Sequence, residues 1–580
     1  MLIVNAVAML TREVGDYVYR VEQPSIAMGK TGKATVITVN TISPWFETLC
    51  RSAGLLVLHL LSEHDLLPII EDRKLQGRPT VYELSDNIIS LHSGIGIRKW
   101  FSDPINLSLA FQYMRIVNAV QVTGQGFAEQ FVFVNPQLVA FQNQMAALSP
   151  YKHQAGARVL IGWAGSSGHR RDIEEISYVI SDVIRSFSNV DFAIMGDKII
   201  YEKFSTLLPP DRIYYTPPGT LEEYLNFLQQ LDIGIAPLQD NPYNHCRSDI
   251  KFLEYASRSV VPVLRSLTPY KFSAEHGKTA FLYDTPQQLK EILSRLVNNT
   301  ELRENISFNA YEYVKNSRME DLHADRRLDF YAGLMDYHPD SYTVNKEIPL
   351  FHCYEGSEYY EVETCEAESL LLEGIQLASR GKDNDAEKRF FSSASSLPEY
   401  PLPWFWLGYC ANRKGNPQAD EWFDEAIKRN PNSLRAYWLK AKLLKNREPS
   451  LAFSEMADLF TRYPNYAPAA FFMAEVLEEH GSYDESRYWY DEALRANPFF
   501  SSAALGLGRI YEIQNKTEEA GLAYGTAADM APCWPDAQYA MAKYCLSRND
   551  LERAADYCIR ALEIDPNHNG AQTLSRKILS

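Results

Sequence analysis

Positive charge is scarce in this chain. Its 580 residues hold 57 lysines and arginines against 74 aspartates and glutamates, a formal charge of −17. A general nucleic-acid binder needs a basic face to displace counterions from phosphates, so that class is excluded, although a local basic pocket is not. Cysteine is sparse as well. The eight thiols, at 50, 246, 353, 365, 410, 533, 545 and 558, form no CxxC pair, which argues against a zinc site or a disulfide framework and fits reduced thiols in a cytosol. Long apolar runs are missing too. The most apolar stretch, Gly54 to Ile70, is broken by Ser62, Glu63, His64 and Asp65, well short of the roughly 20 residues of a membrane span. The opening MLIVNAVAMLTRE has no basic region before its apolar run and no small-residue cleavage site, so no signal peptide is expected. No GxGxxG or Walker loop occurs, and no DxD-type carboxylate pair sits in a metal-binding setting.

What is present is an ordinary globular composition, 46% hydrophobic and 23% charged, in a chain too long for one core. In the first half, apolar β-branched segments alternate with helical ones: Ala34 onward, Pro79 to Asn87, Ala119 to Thr123 and Phe131 to Val134, then Arg158 to Ala164, Phe192 to Met195 and Arg212 to Thr216. Such alternation predicts parallel sheets covered on both faces, with ligands bound beyond the carboxyl ends of the strands. Ser43, Trp45 and Asp86 all follow strands and so face the expected cleft. Each has a plainer alternative: a Ser-Pro turn, a packed aromatic and a helix N-cap.

Two loops stand out. GSSGHRRD, Gly165 to Asp172, runs from a strand into a helix; it is either a capped turn or a phosphate cradle, with Gly165, Ser166, His169 and Arg170 as its contacts. DIGIAPLQDNPYNHCRSDIKFLEYASRSVVP, Asp232 to Pro262, predicts a strand, a loop carrying Asn244, a helix opening near Ser248 and a second strand. Arg247, Lys251 and Glu254 share one face of that helix. They form either a solvated charged face or a site with two cations for a diphosphate and a carboxylate for ribose hydroxyls.

The stretches GWAGSSGH (162 to 169), FAIMGD (192 to 197) and DIGIAPLQDNPYNHCRSDIKFLEYASRSVVPV (232 to 263), with SPW (43 to 45) and VYELSDN (81 to 87), resemble glycosyltransferases of the two-Rossmann GT-B type, especially the retaining family-four-like group-1 enzymes. The resemblance implies a nucleotide-sugar donor seated in the second domain, with Lys251 and Arg247 near the diphosphate and Glu254 on the ribose. His169 and Arg170 would stand near the phosphates or the reacting centre, and no metal or other cofactor is implied. Where such families carry the first of two glutamates eight positions apart, this chain has Cys246, so Asn244, Asp240 or a backbone N–H would replace that contact to the sugar. A retaining outcome needs no base; an inverting one would need a carboxylate or imidazole across the cleft, Asp86 or His92. The expected domains are 1–150 on the acceptor side, 151–337 for the donor, with helices of 318–337 packing back on the first, and a linker over 338–365.

The second half repeats. Pro398, Pro431, Pro464, Pro498, Pro532 and Pro566 recur at intervals of 33 or 34. Gly374, Gly408, Ala441, Ala474, Gly508 and Ala542 keep step with them, as do Ala386, Ala419, Ala452, Ser486, Ala520 and Ala554. Small side chains let the two helices of a hairpin approach, and the proline stops the second. The pattern resembles the tetratricopeptide repeat, six units and a capping helix over 366–580, with Trp404, Trp406, Tyr437 and Trp438 as core. The fold class expected is α/β plus all-α. The whole is expected to be a cytoplasmic, bacterial-type hexosyltransferase whose repeats present a protein acceptor. The alternatives are a transferase acting on a polysaccharide or lipid-linked glycan, and a non-catalytic scaffold with a degenerate head.

Overall fold

The computed structural model describes residues 1–8, 15–91, 95–154, 158–335, 352–355, 358–361 and 365–579. His92 and most of the expected linker lie outside these residues.

The first sheet contains the parallel strands β1 (Leu2–Val7), β2 (Thr35–Asn40), β3 (Leu55–His59), β4 (Thr80–Leu84), β5 (Ala119–Val122) and β6 (Leu138–Ala140), in the order β2-β1-β3-β4-β5-β6. β1 comes from the apolar opening, where no strand is expected from the sequence, and it is central: Val4 lies opposite both Ile37 and Leu56. The expected strand over Phe131 to Val134 is not one. Gln125–Phe131 is helical, and Phe131 and Val134 are buried while Val132 and Phe133 are exposed, a spacing of three that belongs to a helical turn; the strand follows at β6. The linker also departs from expectation, because His352–Glu355 and Glu358–Glu361 form an antiparallel hairpin that extends the sheet beside β2.

The second sheet contains β7 (Val159–Gly165), β8 (Val190–Gly196), β9 (Ile213–Thr216), β10 (Ile233–Ala236), β11 (Val261–Arg265) and β12 (Phe281–Tyr283), in the order β12-β11-β10-β7-β8-β9. This doubly wound order reverses between β7 and β10, and the loops leaving those two strands diverge to open a crevice. After the long helix Thr300–Ser317 the chain crosses back, and helix Ala324–Gly333 buries Ala324, Leu328 and Tyr331 against Ile3, Val36, Val57 and Val81 of the first sheet.

Six helical hairpins follow, from Glu366–Ser379 with Asp383–Ser396 to Pro535–Ser547 with Leu551–Ile564, closed by Asn569–Leu579. The small-residue register has a measurable cause: a Cβ at Gly374, Gly408 or Gly508 would stand 2.3, 2.8 or 2.3 Å from the ring of Phe390, Phe423 or Tyr524. One edge of the array is not free. The turns between hairpins line up along the first domain, where Asn430 donates to Glu47 (3.0 Å), the Arg435 N–H to Asp65 (2.9 Å), Asn465 to Glu71 (2.7 Å) and Asn497 to the Ser108 carbonyl (2.9 Å). Phe499 stacks on Phe111 at 4.9 Å between centroids, and one apolar core runs continuously from β1 and β3 through Leu434, Trp438 and Phe472. The first domain and the repeats therefore fold as one packed body.

His64 sits at the centre of this junction, bonded through Nδ1 to the Tyr466 hydroxyl and stacked on Trp438 at 5.9 Å. Burial, followed by the positive charges of Arg435 and Lys442, lowers its pKa from 6.5 to about 3. The folded imidazole thus refuses a proton that the unfolded one accepts. Its contribution is complete above about pH 6.5 and is lost as pH falls from there toward 3. Thermal melts across this range should show wild type losing stability relative to His64→Asn on acidification; parallel pH curves for the two would contradict the assignment.

Candidate functional site

At the reversal point of the second sheet lies a cavity of about 510 Å³, with Gly165, Ser166 and Arg170 on one wall and Tyr224, Lys251 and Glu254 on another. Gly15 and Tyr19 of the first domain complete it. Glycine is required at its floor: Gly196 adopts φ +107°, and a Cβ there would meet the Gly165 carbonyl oxygen at 2.4 Å. A second, smaller space of about 40 Å³ adjoins it, lined by His169, Arg247, Ser248, Lys251 and Tyr270.

Glu254 is buried, and both of its oxygens are engaged. Tyr19 donates to Oε1 at 3.0 Å, Tyr224 donates to Oε2, and Lys251 Nζ lies 3.2 Å from Oε2. Lys251 also donates to the Tyr224 hydroxyl at 2.6 Å. The sequence reading missed both tyrosines, since neither belongs to the quoted motifs and Tyr19 arrives from the other domain. Helix Ile250–Ala256 begins two residues later than expected, and its first-turn N–H groups receive no side-chain cap. The would-be cap, Asp249, is instead turned into a buried pair with Arg318 at 2.7 Å.

Arg247 links much of the rest. It donates to Asp86 Oδ1 at 2.9 Å and to the Tyr243 hydroxyl at 2.9 Å, and its other nitrogen lies 3.3 Å from His169 Nε2. His169 Nδ1 is 2.9 Å from Asp172 Oδ2, so the Nδ1–H tautomer, donating to Asp172 and accepting from Arg247, satisfies both neighbours. Burial is the main cause that lowers the pKa of His169, and Arg247 adds to it against the opposing pull of Asp172. The ring is held neutral. Asp86 and His169, from different domains, are thereby brought to the two ends of one guanidinium. Asp86 is a tie across the cleft with Oδ1 already shared by Arg247 and Tyr243.

Other predicted residues are placed differently. Arg170 is paired with Asp197 at 2.9 Å, at the cavity wall. Asn244 does not reach the cavity, because its amide donates to Asp172 at 3.1 Å and to the Gln239 carbonyl at 3.0 Å. Asp240 pairs with His245 at 2.7 Å. Cys246 is buried against the first domain, between Asn87 and Gln130, and burial pushes its thiol up to about 12. Ser43 caps a turn by accepting from the Trp45 N–H at 3.1 Å, and it lines a different cavity, of about 380 Å³, shared with Tyr400 and Arg435 of the repeats. Trp45 packs into the first-domain core. Among the described residues no group of three or more His, Cys, Asp or Glu side chains is placed to hold a metal ion, and no helix is long and apolar enough to cross a membrane.

Asp172 holds the two loops together. Its Oδ1 accepts from the Gln239 N–H at 2.9 Å and from Asn244, while Oδ2 takes His169. Asp172→Ala leaves these donors without acceptors, at about 1–3 kcal/mol for each buried one. Hydrogen exchange should then accelerate in residues 239–247 while the repeats keep their protection; unchanged exchange in 239–247 would show that the carboxylate does not hold the loop.

No curated protein matches this sequence. A model of the tetratricopeptide repeat matches residues 442–499, 490–537 and 505–569. Among solved structures, the Anabaena protein Alr3699/HepE in complex with UDP is similar at 14% identity and a TM-score of 0.44, covering 57% of this chain and 100% of its own. TarM is similar at 12% identity and a TM-score of 0.39 over 50% of this chain, which spans 58% of TarM's length. PilF of Pseudomonas aeruginosa is similar at 15% identity and a TM-score of 0.31, covering 37% of this chain and 97% of its own. The chain joins two Rossmann-like domains to a C-terminal array of tetratricopeptide repeats.

Proposed function

We propose that the first half is a glycosyltransferase, taking a sugar from a nucleotide-sugar donor, and that the repeats hold its protein acceptor. The observation that carries this reading is the reversal-point cavity of about 510 Å³, which offers the cations Arg170 and Lys251 beside the carboxylate of Glu254. As the bond between sugar and diphosphate breaks, negative charge develops on the leaving phosphate oxygen. Fixed cations aimed there lower the barrier, and they act most strongly in a space that excludes water. Arg247, Lys251 and Arg170 suit this role, and no metal ion is required by it. Glu254 suits the ribose hydroxyls, which would take the place of the tyrosine hydroxyls now donating to it. Neutral His169 accepts from Arg247 and keeps that guanidinium turned toward the smaller space. Asp86 anchors it from the other domain.

The protein acceptor is favoured by the way the repeats are attached. Docking uses the turns along one edge, which leaves the groove of the last repeats open, with a hollow of about 610 Å³ lined by Arg509, Glu512, Lys543 and Tyr544. Binding should be measured by calorimetry with UDP, GDP and ADP. Glu254→Ala should weaken the tightest of them at least tenfold, about 1.4 kcal/mol, with the melting of the repeats unchanged. Equal affinity in variant and wild type would remove Glu254 from the site. Intact-mass analysis of candidate acceptor proteins with the matching nucleotide sugar should show a hexose-sized gain; transfer only to a glycan or lipid would refute the protein acceptor.

A further inference from the structure

We propose that the cavity between the first domain and the first repeats is a second ligand site, one that holds a neutral sugar ring. It shares no lining residue with the donor cavity and does not depend on the glycosyl-transfer reading.

The junction is otherwise tightly packed. Leu434, Trp438 and Phe472 continue the first-domain core without a break, and such interiors leave few voids larger than a water molecule. A hollow of about 380 Å³ is therefore out of keeping with its surroundings. Its size lies within the range of small-ligand pockets, roughly 300–1,000 Å³. The first domain supplies Thr41 and Ser43 after β2 and Glu63 and Asp65 after β3, and the repeats supply Tyr400 and Arg435. The hollow exists only where the two parts meet.

Its polar groups are unequally engaged. Arg51 is paired with Glu47 and Asp72, and Arg429 with Glu425. Asp65 accepts from the Arg435 backbone N–H at 2.9 Å and from the Ser433 hydroxyl at 3.3 Å. The Arg435 guanidinium is different. It lies 4.3 Å above the Phe405 ring, its Nε stands 3.9 Å from Asp65, and it donates no hydrogen bond among the described residues although Nε is buried. Glu63 accepts from the Ser62 N–H at 3.1 Å but from no side-chain donor among the described residues. The Thr41 hydroxyl, on the same wall, has no partner among them either. A donor fork, a carboxylate and a hydroxyl thus share one hollow, each short of partners that water or a ligand must supply.

Charge decides the class of ligand. Glu63 and Asp65 repel an anion, Arg435 repels a cation, and an apolar guest would leave all three worse satisfied. A sugar hydroxyl both donates and accepts, so one ring can give to Glu63 and take from Arg435 at once. The C–H face of the ring needs an apolar wall. Phe46 and Tyr400 provide it, and Tyr400 is fixed by the bond from its hydroxyl to the Ile42 carbonyl.

The test uses the full chain and saturation-transfer NMR with the methyl glycosides of glucose, galactose, mannose and N-acetylglucosamine, then with maltose and diacetylchitobiose. At least one should bind at millimolar concentration, slow hydrogen exchange in residues 41–48 and 429–435, and leave 165–170 and 247–254 unchanged. Arg435→Gln keeps the backbone N–H that ties Asp65, and Thr41→Val keeps the side-chain shape. Each should weaken binding by about fivefold or more, the effect of one lost hydrogen bond. If Arg435→Gln lowers the melting temperature, Thr41→Val decides. A disaccharide that binds more tightly than its monosaccharide assigns the site to a glycan chain, and equal affinity assigns it to a free sugar. The proposal is overturned if none of these sugars binds, if protection falls outside both stretches, or if Thr41→Val binds as wild type does. Displacement of the sugar by glycine or by inorganic phosphate would overturn it as well, because the site would then select charge.

Discussion

The carboxylate of Asp172 does for this structure what sheet topology alone cannot. Strand order in the second sheet reverses between β7 and β10, so the loops leaving those strands part and open a crevice. A crevice is only a site if its walls are fixed relative to each other. Asp172, on the β7 side, reaches the β10 side through the Gln239 N–H and the Asn244 amide and holds His169 on its own side. A buried carboxylate that accepts several hydrogen bonds is well supported, and removing it strands every donor at once.

From that point the ties run outward across the cleft. His169 meets Arg247, and Arg247 meets Asp86 of the first domain; Glu254 meets Tyr19 of the first domain independently. Beneath Tyr19, Arg20 and Glu83 form a fully buried ion pair at 2.7 Å, and Arg20 also donates to Asn143 at 2.9 Å. Breaking such a pair from one side leaves an uncompensated buried charge, so the segment carrying Asp16 and Tyr19 is set firmly on the first sheet. The first domain is in turn clamped by the repeat turns, from Asn430 to Cys533. The repeats are therefore held at a fixed distance and angle to the cleft.

The sequence disclosed the periodic features best. The proline and small-residue registers gave six hairpins and a cap because each register has one steric cause repeated, seen where Gly374, Gly408 and Gly508 admit an aromatic ring. Strand and helix alternation gave both sheets, yet it passed over β1, whose alanine and asparagine dilute a run that is fully buried between two neighbours. The Phe131 to Val134 error has the same root, since a short apolar run carries no period of its own. For the site, helical spacing grouped Lys251 with Glu254, and both do line one cavity. Spacing could not show that Asn244 is spent on Asp172, that Cys246 faces the other domain, or that Ser43 lies against the repeats. Tyr19 was out of reach for a different reason: its place in the site comes from a contact between residues 235 positions apart.

On the reading proposed, a nucleoside diphosphate sits at the reversal point of the second sheet, under the first domain. Hydrogen exchange with and without saturating UDP, GDP or ADP tests it most directly. One of them should slow exchange in three separated stretches together, 165–170, 219–224 and 247–254, and leave the repeats beyond residue 366 unchanged. Protection confined to the repeats, or none in any of the three stretches, would contradict it.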